Sequence, residues 1–331
     1  MVIEPIEIGD LVGQRIIIDG HLILHQFLAS IRSMGVSGDG GPLRGPDGSP
    51  VSHLMGLLAR VTNLLQHGVN PIIVFDGDAH QLKDEVIAQR RKRRVEATEE
   101  WQALIDAGEL EAARKKGQQA IHLTREMVDE AKLMLSYLGI PVIQAAAEGE
   151  GEAAVRVRRN QADAVATQDW DALLYGTPVL IRNLMSAGSR RRGKIVNAER
   201  IYLSKVLDLH QISHEQLVDI AIMIGTDFHK GVKGIGPKRG LSQIKKHGAI
   251  EAIIEDGGYE SIENLDTIRS IFLNHPCSEQ DISMPGIIDE EGLRNFLIDK
   301  KGFSEKRVSN AIATAGKKVR TVGQTRLTDF V

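Results

Sequence analysis

The chain has 331 residues, of which 42% are hydrophobic and 26% are charged, a composition typical of a globular protein with a large core. Its single cysteine, Cys277, excludes a disulfide framework and a zinc site built from thiolates. No apolar run approaches the roughly 20 residues that a membrane span requires, so we expect no membrane partner.

The net charge of −3 conceals a strong segregation of basic residues. Arg90–Arg94 is an unbroken basic run, Arg190–Lys194 is a second basic segment, and the stretch between Phe228 and Ile250 has six Lys or Arg and no Asp or Glu. One such run alone is equally well explained by a solvated helix face. Several of them around an acidic centre are compatible with a polyanionic partner, whatever the net charge.

Short apolar runs alternate with helical segments up to about residue 203. The runs predicted to be strands are Arg15–Asp19, Pro71–Asp76, Pro141–Gln144, Ala162–Thr167 and Pro178–Asn183. Ser52 is the expected N-cap of a helix after a glycine- and proline-rich loop, and a long, charged helical segment runs from Gln81 to about Gly139. The alternation predicts an α/β fold with a mainly parallel central sheet flanked by helices, followed from Ser204 by a helical subdomain.

Acidic residues follow the predicted strands at four equivalent points, and they are Asp19, Asp76, Glu148, Glu150, Asp169 and Asp171. Ligands of open parallel sheets collect outside the carboxyl ends of the strands, so we expect these side chains to gather there. Any one of them alone is better explained as a helix N-cap or a surface ion pair, and Asp169 could cap its helix. Their recurrence favours a shared site.

Carboxylates in a small space cannot all ionise together without bound cations. Mg²⁺ takes oxygen ligands in octahedral geometry. Two such ions about 4 Å apart could stabilise both the attacking and the leaving oxygen of a phosphodiester. The acidic set therefore predicts a divalent-metal site, and the basic segments around it indicate a phosphate-containing substrate.

A separate signal lies in the sequence GIGPKRG. Gly234 and Gly236 predict a tight turn that opens a helix, with Pro237 in its first turn. A helix N-terminus favours an anion, and Lys238 and Arg239 add positive charge. The segment predicts contact with the backbone of a nucleic-acid duplex, without reading of its bases.

Several stretches match one known family in order and spacing along nearly the whole chain: IIIDGHLILHQFL, VFDGDAHQLK with RRKRR, AAAEGEGEAA, ATQDWDALLYG, IGTDF and GIGPKRG. Through them the chain resembles the flap endonucleases of the archaeal and eukaryotic structure-specific 5′-nuclease family. The resemblance implies a PIN-like nuclease core and a divalent-metal-dependent phosphodiesterase. Such an enzyme cleaves 5′ flaps where a single strand meets duplex DNA, with 5′–3′ exonuclease activity, in Okazaki fragment maturation and repair.

The resemblance also implies roles for individual residues. Asp227 joins the six carboxylates above as a seventh metal-site residue, around two Mg²⁺ ions, with Mn²⁺ as an alternative. Lys83 and Arg90 match a lysine and an arginine that reach over the scissile phosphate and stabilise its developing negative charge. Arg94, one turn further along, is expected to steer the 5′ strand.

Three parts are expected on the same grounds. They are a nuclease core at 1–203 with a helical arch inserted at about 80–123, a helical subdomain at 204–316 with a helix-two-turn-helix-like DNA-binding motif, and a tail at 317–331. The tail resembles the box that binds a sliding clamp, through Gln324, Leu327, Phe330 and Val331. A single helical turn would place Leu327 and Phe330 on one face as anchors for a pocket.

The sequence departs from the family pattern at a few positions. His25 stands where the family has an aromatic residue that stacks on a substrate base, and Ala146-Ala147 replaces Pro-Ser before the first glutamate. Glu152 is an extra acid, explained either as a helix first-turn charge, which we favour, or as an additional metal ligand.

Other readings stay open. The chain could be another 5′-nuclease of the same superfamily, such as a 5′-exonuclease or a junction resolvase, or a DNA-junction or clamp-binding protein without catalysis. We expect a monomer that acts on branched DNA with a 5′ flap. We also expect it in the cytoplasm of an archaeal-type cell, or in the nucleus if the source is a eukaryote.

Overall fold

The computed structural model describes residues 2–34, 38–191 and 193–322 of the chain. The strands in these ranges are β1 (Ile3–Ile6), β2 (Arg15–Asp19), β3 (Asn70–Phe75), β4 (Val142–Gln144), β5 (Ala164–Ala166), β6 (Val179–Arg182), β7 (Arg190–Arg191), β8 (Lys194–Ile195) and β9 (Ala198–Tyr202). The α-helices are α1 (Gly20–Ser30), α2 (Ser52–Gln66), α3 (Asp84–Asp106), α4 (Leu110–Lys116), α5 (Arg125–Tyr137), α6 (Gly149–Arg158), α7 (Leu203–His210), α8 (His214–Ile224), α9 (Pro237–His247), α10 (Ile250–Gly257), α11 (Leu265–Leu273), α12 (Glu290–Arg294) and α13 (Glu305–Val322). They alternate with the strands in the first part of the chain and dominate after β9.

The chain divides into two compact units, and the first comprises Met1–Ile6, Asp76–Gln89 and Gln144–Gln280. Its sheet strands lie in the order β1-β9-β6-β5. β5 and β6 are parallel, whereas β9 runs antiparallel to both β6 and β1. Strands β7 and β8 pair as a separate hairpin.

Most of the core of this first unit is formed by its helices. Buried apolar side chains from α8 to α11 pack with residues of α6 and of the segment after β5; they include Ala154, Tyr175, Val218, Met223, Phe228, Ile244, Ile253 and Phe272. A smaller cluster joins Leu180 of β6 and Ile201 of β9 to Leu173. The helices after β9 thus share a continuous core with the segments that follow β4 and β5.

The second unit comprises Glu7–Phe75, Arg90–Ile143 and Asp281–Val331. Its strands β2 and β3 are parallel, with Asp19 opposite Val74. Helix α2 packs against α1, α5 and α13. The approach of α1 to α2 depends on Gly56, because a Cβ at that position would lie 2.3 Å from Cγ of Phe27.

The predicted α/β architecture is confirmed, and all five predicted strands are present within a few residues of their expected bounds. The sheet is mixed, because β1 and β9 add an antiparallel edge that the sequence did not reveal. β1 contains a proline, Pro5, which weakens a strand prediction and is tolerated at a sheet edge.

Ser52 is not the N-cap of α2, so that prediction was wrong. The cap is Val51, and Ser52 is the first helical residue. The Ser52 hydroxyl is buried, where it accepts a hydrogen bond from the backbone N of Leu43 at 2.7 Å and donates one to the carbonyl oxygen of Ile31 at 2.6 Å. Its tertiary partners take the place of the helix terminus.

The predicted division at 203 and 316 differs from the two compact units, whose segments alternate along the chain, and it stays a prediction. The segment expected to form an arch contains α3 and α4, and α3 begins in the first unit and continues into the second. Within the described ranges, no helix is long and apolar enough to cross a membrane.

Candidate active site

Asp76 directly follows β3 and is held by the start of α6. Its Oδ1 atom accepts a hydrogen bond from the backbone N of Gly149 at 2.8 Å, so the carboxylate lies at the positive end of that helix. Next to it, the backbone N of Gly77 donates to the carbonyl oxygen of Ala147 at 2.7 Å. A Cβ at Gly77 would lie 2.2 Å from the carbonyl oxygen of Ala145, so only glycine fits this approach.

Glu148 and Asp227 share one cation, the ammonium of Lys83. The Nζ atom of Lys83 lies 2.6 Å from Oε2 of Glu148 and 3.6 Å from Oδ2 of Asp227. It also lies 4.8 Å from the centre of the Phe228 ring, whose face favours a cation. Glu148 is the N-cap residue of α6 by backbone position, but its side chain makes no capping bond, so it is available to Lys83.

Glu150, Asp169 and Asp171 are linked through Thr167, at the end of β5. The Thr167 hydroxyl donates to Oε1 of Glu150 at 2.8 Å and accepts a hydrogen bond from the backbone N of Asp169 at 3.2 Å. The backbone N of Asp171 in turn donates to Oδ1 of Asp169 at 3.1 Å. Sequence reasoning missed Thr167, although a hydroxyl residue two positions before Asp169 was a visible signal.

The acidic side chains are close enough to change one another's ionisation. Burial, together with the charges of Asp169 and Asp227, raises the pKa of Asp171 to about 6, against the opposing effect of Lys83. Burial also raises the pKa of Tyr175, and several surrounding carboxylates raise it further: Glu148, Glu150, Asp171 and Asp76. The first unit therefore brings several carboxylates close together, with the ammonium of Lys83 among them.

Six of the seven predicted metal-site residues thus belong to the first unit: Asp76, Glu148, Glu150, Asp169, Asp171 and Asp227. Asp19 belongs to the second unit, where it ends β2 and caps α1 by accepting a hydrogen bond from the backbone N of Leu22 at 3.0 Å. The N-cap alternative therefore holds for Asp19, and its role at a metal stays a prediction.

Arg90 and Arg94 lie on α3, in the second unit. Arg90 is exposed, and Nη1 of Arg94 lies 3.1 Å from Nδ1 of His122. Burial lowers the pKa of His25, and the neighbouring Arg94 and His122 lower it further. His25 is thus part of a basic cluster with Arg94, and the catalytic and DNA-steering roles of the two arginines stay predictions.

The glycine turn of GIGPKRG opens a helix, in agreement with its local prediction. Gly234 has a φ of 86°, Gly236 is the N-cap of α9, and Pro237 is its first residue. Lys238 is exposed, whereas the Arg239 guanidinium donates to the Tyr259 hydroxyl at 2.8 Å. Contact of this turn with DNA stays a prediction.

Glu152 lies in the first turn of α6, in agreement with the favoured expectation, and it is fully buried. Its Oε1 atom lies 2.7 Å from Nε of Arg156, which is itself 1% exposed. Burial alone would raise the pKa of Glu152, but hydrogen bonds from Ser278 and Arg156 outweigh that effect and lower it. The carboxylate is thus both a first-turn charge and a partner of Arg156 in the interior, and its alternative role as a metal ligand stays a prediction.

The donor chemistry of the first unit fits a hard divalent cation, because all six acidic groups offer oxygen ligands and their charges repel. Among the residues that the structure describes, no group of three or more His, Cys, Asp or Glu side chains is already close enough to hold a metal ion. The clamp-box residues Gln324, Leu327, Phe330 and Val331 lie outside the described residues.

Comparison with known proteins identifies the family of this acidic site. Residues 1–97 match the XPG N-terminal domain and residues 139–227 match the XPG I-region. A flap endonuclease 1 from Methanosarcina barkeri is 42% identical over 315 residues, which cover 93% of this chain and 91% of the relative. The chain belongs to the flap endonuclease family.

Further comparisons agree with this membership. A flap endonuclease 1 from Pyrobaculum aerophilum is 41% identical over 93% of the chain and 90% of the relative. The solved flap endonuclease-1 from Methanococcus jannaschii is 33% identical, covers 97% of both chains and superposes with a TM-score of 0.74. The catalytic core of Rad2 in complex with a DNA substrate has a TM-score of 0.73 at 20% identity, which supports the fold alone.

Membership confirms the predicted family, fold class and enzyme class. Flap endonucleases hydrolyse phosphodiester bonds at 5′ flaps, serve DNA replication and repair, and depend on divalent metal ions. The residues matching the I-region run from 139 to 227 and so include five of the six predicted metal-site residues of the first unit, all except Asp76.

Proposed function

We propose that this flap endonuclease uses two Mg²⁺ ions to cleave 5′ flaps and to remove nucleotides from 5′ ends. The observation that carries the proposal is the group of carboxylates in the first unit, where burial, together with the charges of Asp169 and Asp227, raises the pKa of Asp171 to about 6. A dense group of carboxylates favours divalent cations. Mn²⁺ has similar ligand preferences and is the alternative ion.

The proposed ligands are the seven predicted metal-site residues: Asp19, Asp76, Glu148, Glu150, Asp169, Asp171 and Asp227. A bound ion would lower the pKa of a coordinated water and balance charge on the phosphate oxygens. Thr167 would keep Glu150 in a fixed orientation, because its hydroxyl donates to that carboxylate at 2.8 Å. This second layer of hydrogen bonds is what tunes metal sites in general.

Lys83 is proposed to stabilise negative charge on the phosphate undergoing cleavage. Its ammonium already lies within 3.6 Å of Glu148 and Asp227, so it belongs to the same charged cluster. Arg90 is proposed to act with it, on the basis of the sequence match. Preorganised cations of this kind act most strongly where water is partly excluded.

Binding of the branched DNA is assigned to other segments. The turn at Gly234 and Gly236, with Lys238 and Arg239, is proposed to hold the duplex backbone, and Arg94 is proposed to guide the 5′ strand. The tail from Gln324 to Val331 is proposed to dock on a sliding clamp. We infer that the protein acts in the cytoplasm, because the relatives named above are archaeal. We also propose that it acts as a monomer.

The test is cleavage of a duplex with a labelled 5′ flap, with Mg²⁺ and with EDTA. We expect release of a short oligonucleotide only with Mg²⁺. Parallel assays on nicked duplexes and four-way junctions separate flap cleavage from exonuclease or resolvase specificity. An intact flap in the presence of Mg²⁺, with the DNA bound, would show a binding protein without catalysis.

A further inference from the structure

A buried ion pair lies on α6, just after the proposed metal ligands Glu148 and Glu150 in sequence. Glu152 and Arg156 are one helical turn apart, with 0% and 1% of their surfaces exposed, and Oε1 of Glu152 is 2.7 Å from Nε of Arg156. Glu148 and Glu150 precede them on the same helix. The pair is thus part of the element that carries two of the acidic residues.

The Glu152 carboxylate closes a loop around Glu148. Its Oε2 atom accepts a hydrogen bond from the backbone N of Ala146 at 3.2 Å, across the segment that contains Glu148 and Glu150. The same oxygen accepts from the backbone N of Ser278 at 2.8 Å, and Oε1 accepts from the Ser278 hydroxyl at 2.7 Å. One carboxylate therefore connects the segment before α6 to the segment at Ser278.

The Arg156 guanidinium also binds the segment around Ser278. It donates to the Ser278 hydroxyl at 3.0 Å, to the carbonyl oxygen of Gln280 at 2.6 Å and to Oε1 of Gln161 at 3.1 Å. The segment from Ser278 to Gln280 is consequently bound by both members of the ion pair.

His275, just before that segment, packs on the backbone of Gly151. A Cβ at Gly151 would lie 2.3 Å from Cδ2 of His275, so glycine is needed for the ring to lie there. The imidazole is buried and also contacts the Tyr175 ring edge-on, with 5.2 Å between the ring centres. The first turn of α6 is thus enclosed by contacts on the side of His275 as well.

Helix stability does not explain this arrangement. An exposed pair one turn apart already gives most of what a charge pair contributes to a helix, a few tenths of a kcal/mol. Burying both charges carries a large desolvation cost that apolar side chains of similar size would avoid. What apolar side chains could not supply is the set of directed bonds to Ala146, Ser278 and Gln280.

We propose that Glu152 and Arg156 are positioning residues that fix the orientation of Glu148 and Glu150 toward the metal ions. The inference rests on the proposed metal site. Partners of metal-binding residues commonly alter metal affinity when they are replaced, although they do not touch the ion. Glu152 acts here through the backbone that carries the ligands.

The test is Glu152→Gln, measured by Mn²⁺ binding from the loss of the free-ion EPR signal. Both carboxylate oxygens of Glu152 face donors, so an amide must present its NH₂ group to one of them. We expect Mn²⁺ affinity to fall about tenfold while the affinity for uncleaved flap DNA is unchanged. Ser278→Ala removes only the bridging hydroxyl, and we expect a milder loss of about threefold.

Asp219→Asn is the matched control. Asp219 is also buried in the first unit and also pairs with an arginine, Arg269, at 2.6 Å, but it lies on α8. We expect it to lower the melting temperature without changing Mn²⁺ affinity. Equal Mn²⁺ affinity in wild type, Glu152→Gln and Ser278→Ala overturns this inference alone. Absence of Mn²⁺ binding by the wild type overturns the proposed metal site itself.

Discussion

Two acidic clusters in the first unit differ in the direction in which the pKa of a carboxylate is shifted. In the cluster on α8, α10 and α11, Asp219 and Glu251 share Arg269, and those bonds lower the pKa of Glu251 and raise that of Arg269. At the candidate active site, the pKa of Asp171 is raised to about 6 instead. In the first cluster both acids are hydrogen-bonded to Arg269, whereas at the candidate active site burial and two acidic neighbours disfavour the ionised form of Asp171.

The difference distinguishes acids that bind a cation of the protein itself from acids that are proposed to bind metal ions. Asp219 is 4% exposed and fully engaged, so its charge is balanced within the protein. Asp171 is only half-buried, near Asp169 and Asp227, with Lys83 as the nearby cation. A carboxylate cluster that costs stability in the free protein gains it back when cations bind.

The largest effect is expected from Asp171→Ala, which removes one carboxylate from the candidate active site. We expect cleavage of a 5′ flap to fall by a factor on the order of a thousand or more, because Asp171 is a proposed metal ligand. Binding of uncleaved flap DNA, measured by fluorescence anisotropy with Ca²⁺, should persist. Turnover close to that of the wild type would remove Asp171 from the site.

Lys83→Ala is expected to have the next largest effect. The Nζ atom of Lys83 lies 2.6 Å from Oε2 of Glu148, within the carboxylate group. We expect the single-turnover cleavage rate to fall by about 100-fold, with a much smaller change in the dissociation constant of the flap. A loss confined to the dissociation constant would make Lys83 a docking charge.

Asp219→Asn tests the cluster in which Asp219 and Glu251 share Arg269. Removing one partner of a buried ion pair leaves Arg269 partly unpaired, so we expect the free energy of unfolding to fall by about 3 kcal/mol. Urea denaturation measures it. The cleavage rate well below the melting temperature should stay unchanged, and a large change in that rate would show that the two clusters are coupled.

The smallest effect is expected from Asp171→Asn in metal-free protein. The folded pKa of about 6 lies above the usual value near 4, so the folded state binds more protons than the unfolded state between those pH values. The ionised Asp171 therefore destabilises the fold at pH 7, and this cost vanishes as the pH falls below about 4.

After discounting for the partial exposure of Asp171, the gain from the asparagine at pH 7 is about 1 kcal/mol. Urea denaturation in EDTA at pH 7 and pH 4 measures the difference between variant and wild type. Comparing the two proteins at each pH cancels the titration of acids whose pKa is lowered, such as Glu152 and Glu251. A gain that is equal at both pH values would contradict the raised pKa.

The sequence predicted those parts of the fold that depend on local pattern. Arg15–Asp19 is a strand at the predicted bounds, and the acids after β4 and β5 belong to one linked set. The antiparallel edge escaped prediction because the pairing of Ile3 with Ile201 joins distant segments. The burial of Glu152 was not predicted for the same reason, since its partner Ser278 is 126 positions away.

Gly77 restricts how this protein can change over generations. Any replacement there would meet the backbone of Ala145 and Ala146, which no change of side-chain rotamer can relieve. A compensating mutation would have to shift the chain between β4 and α6, and that shift would also displace Glu148. We therefore expect a substitution at Gly77 to alter the position of Glu148 as well, so selection on this glycine is linked to selection on the proposed metal site.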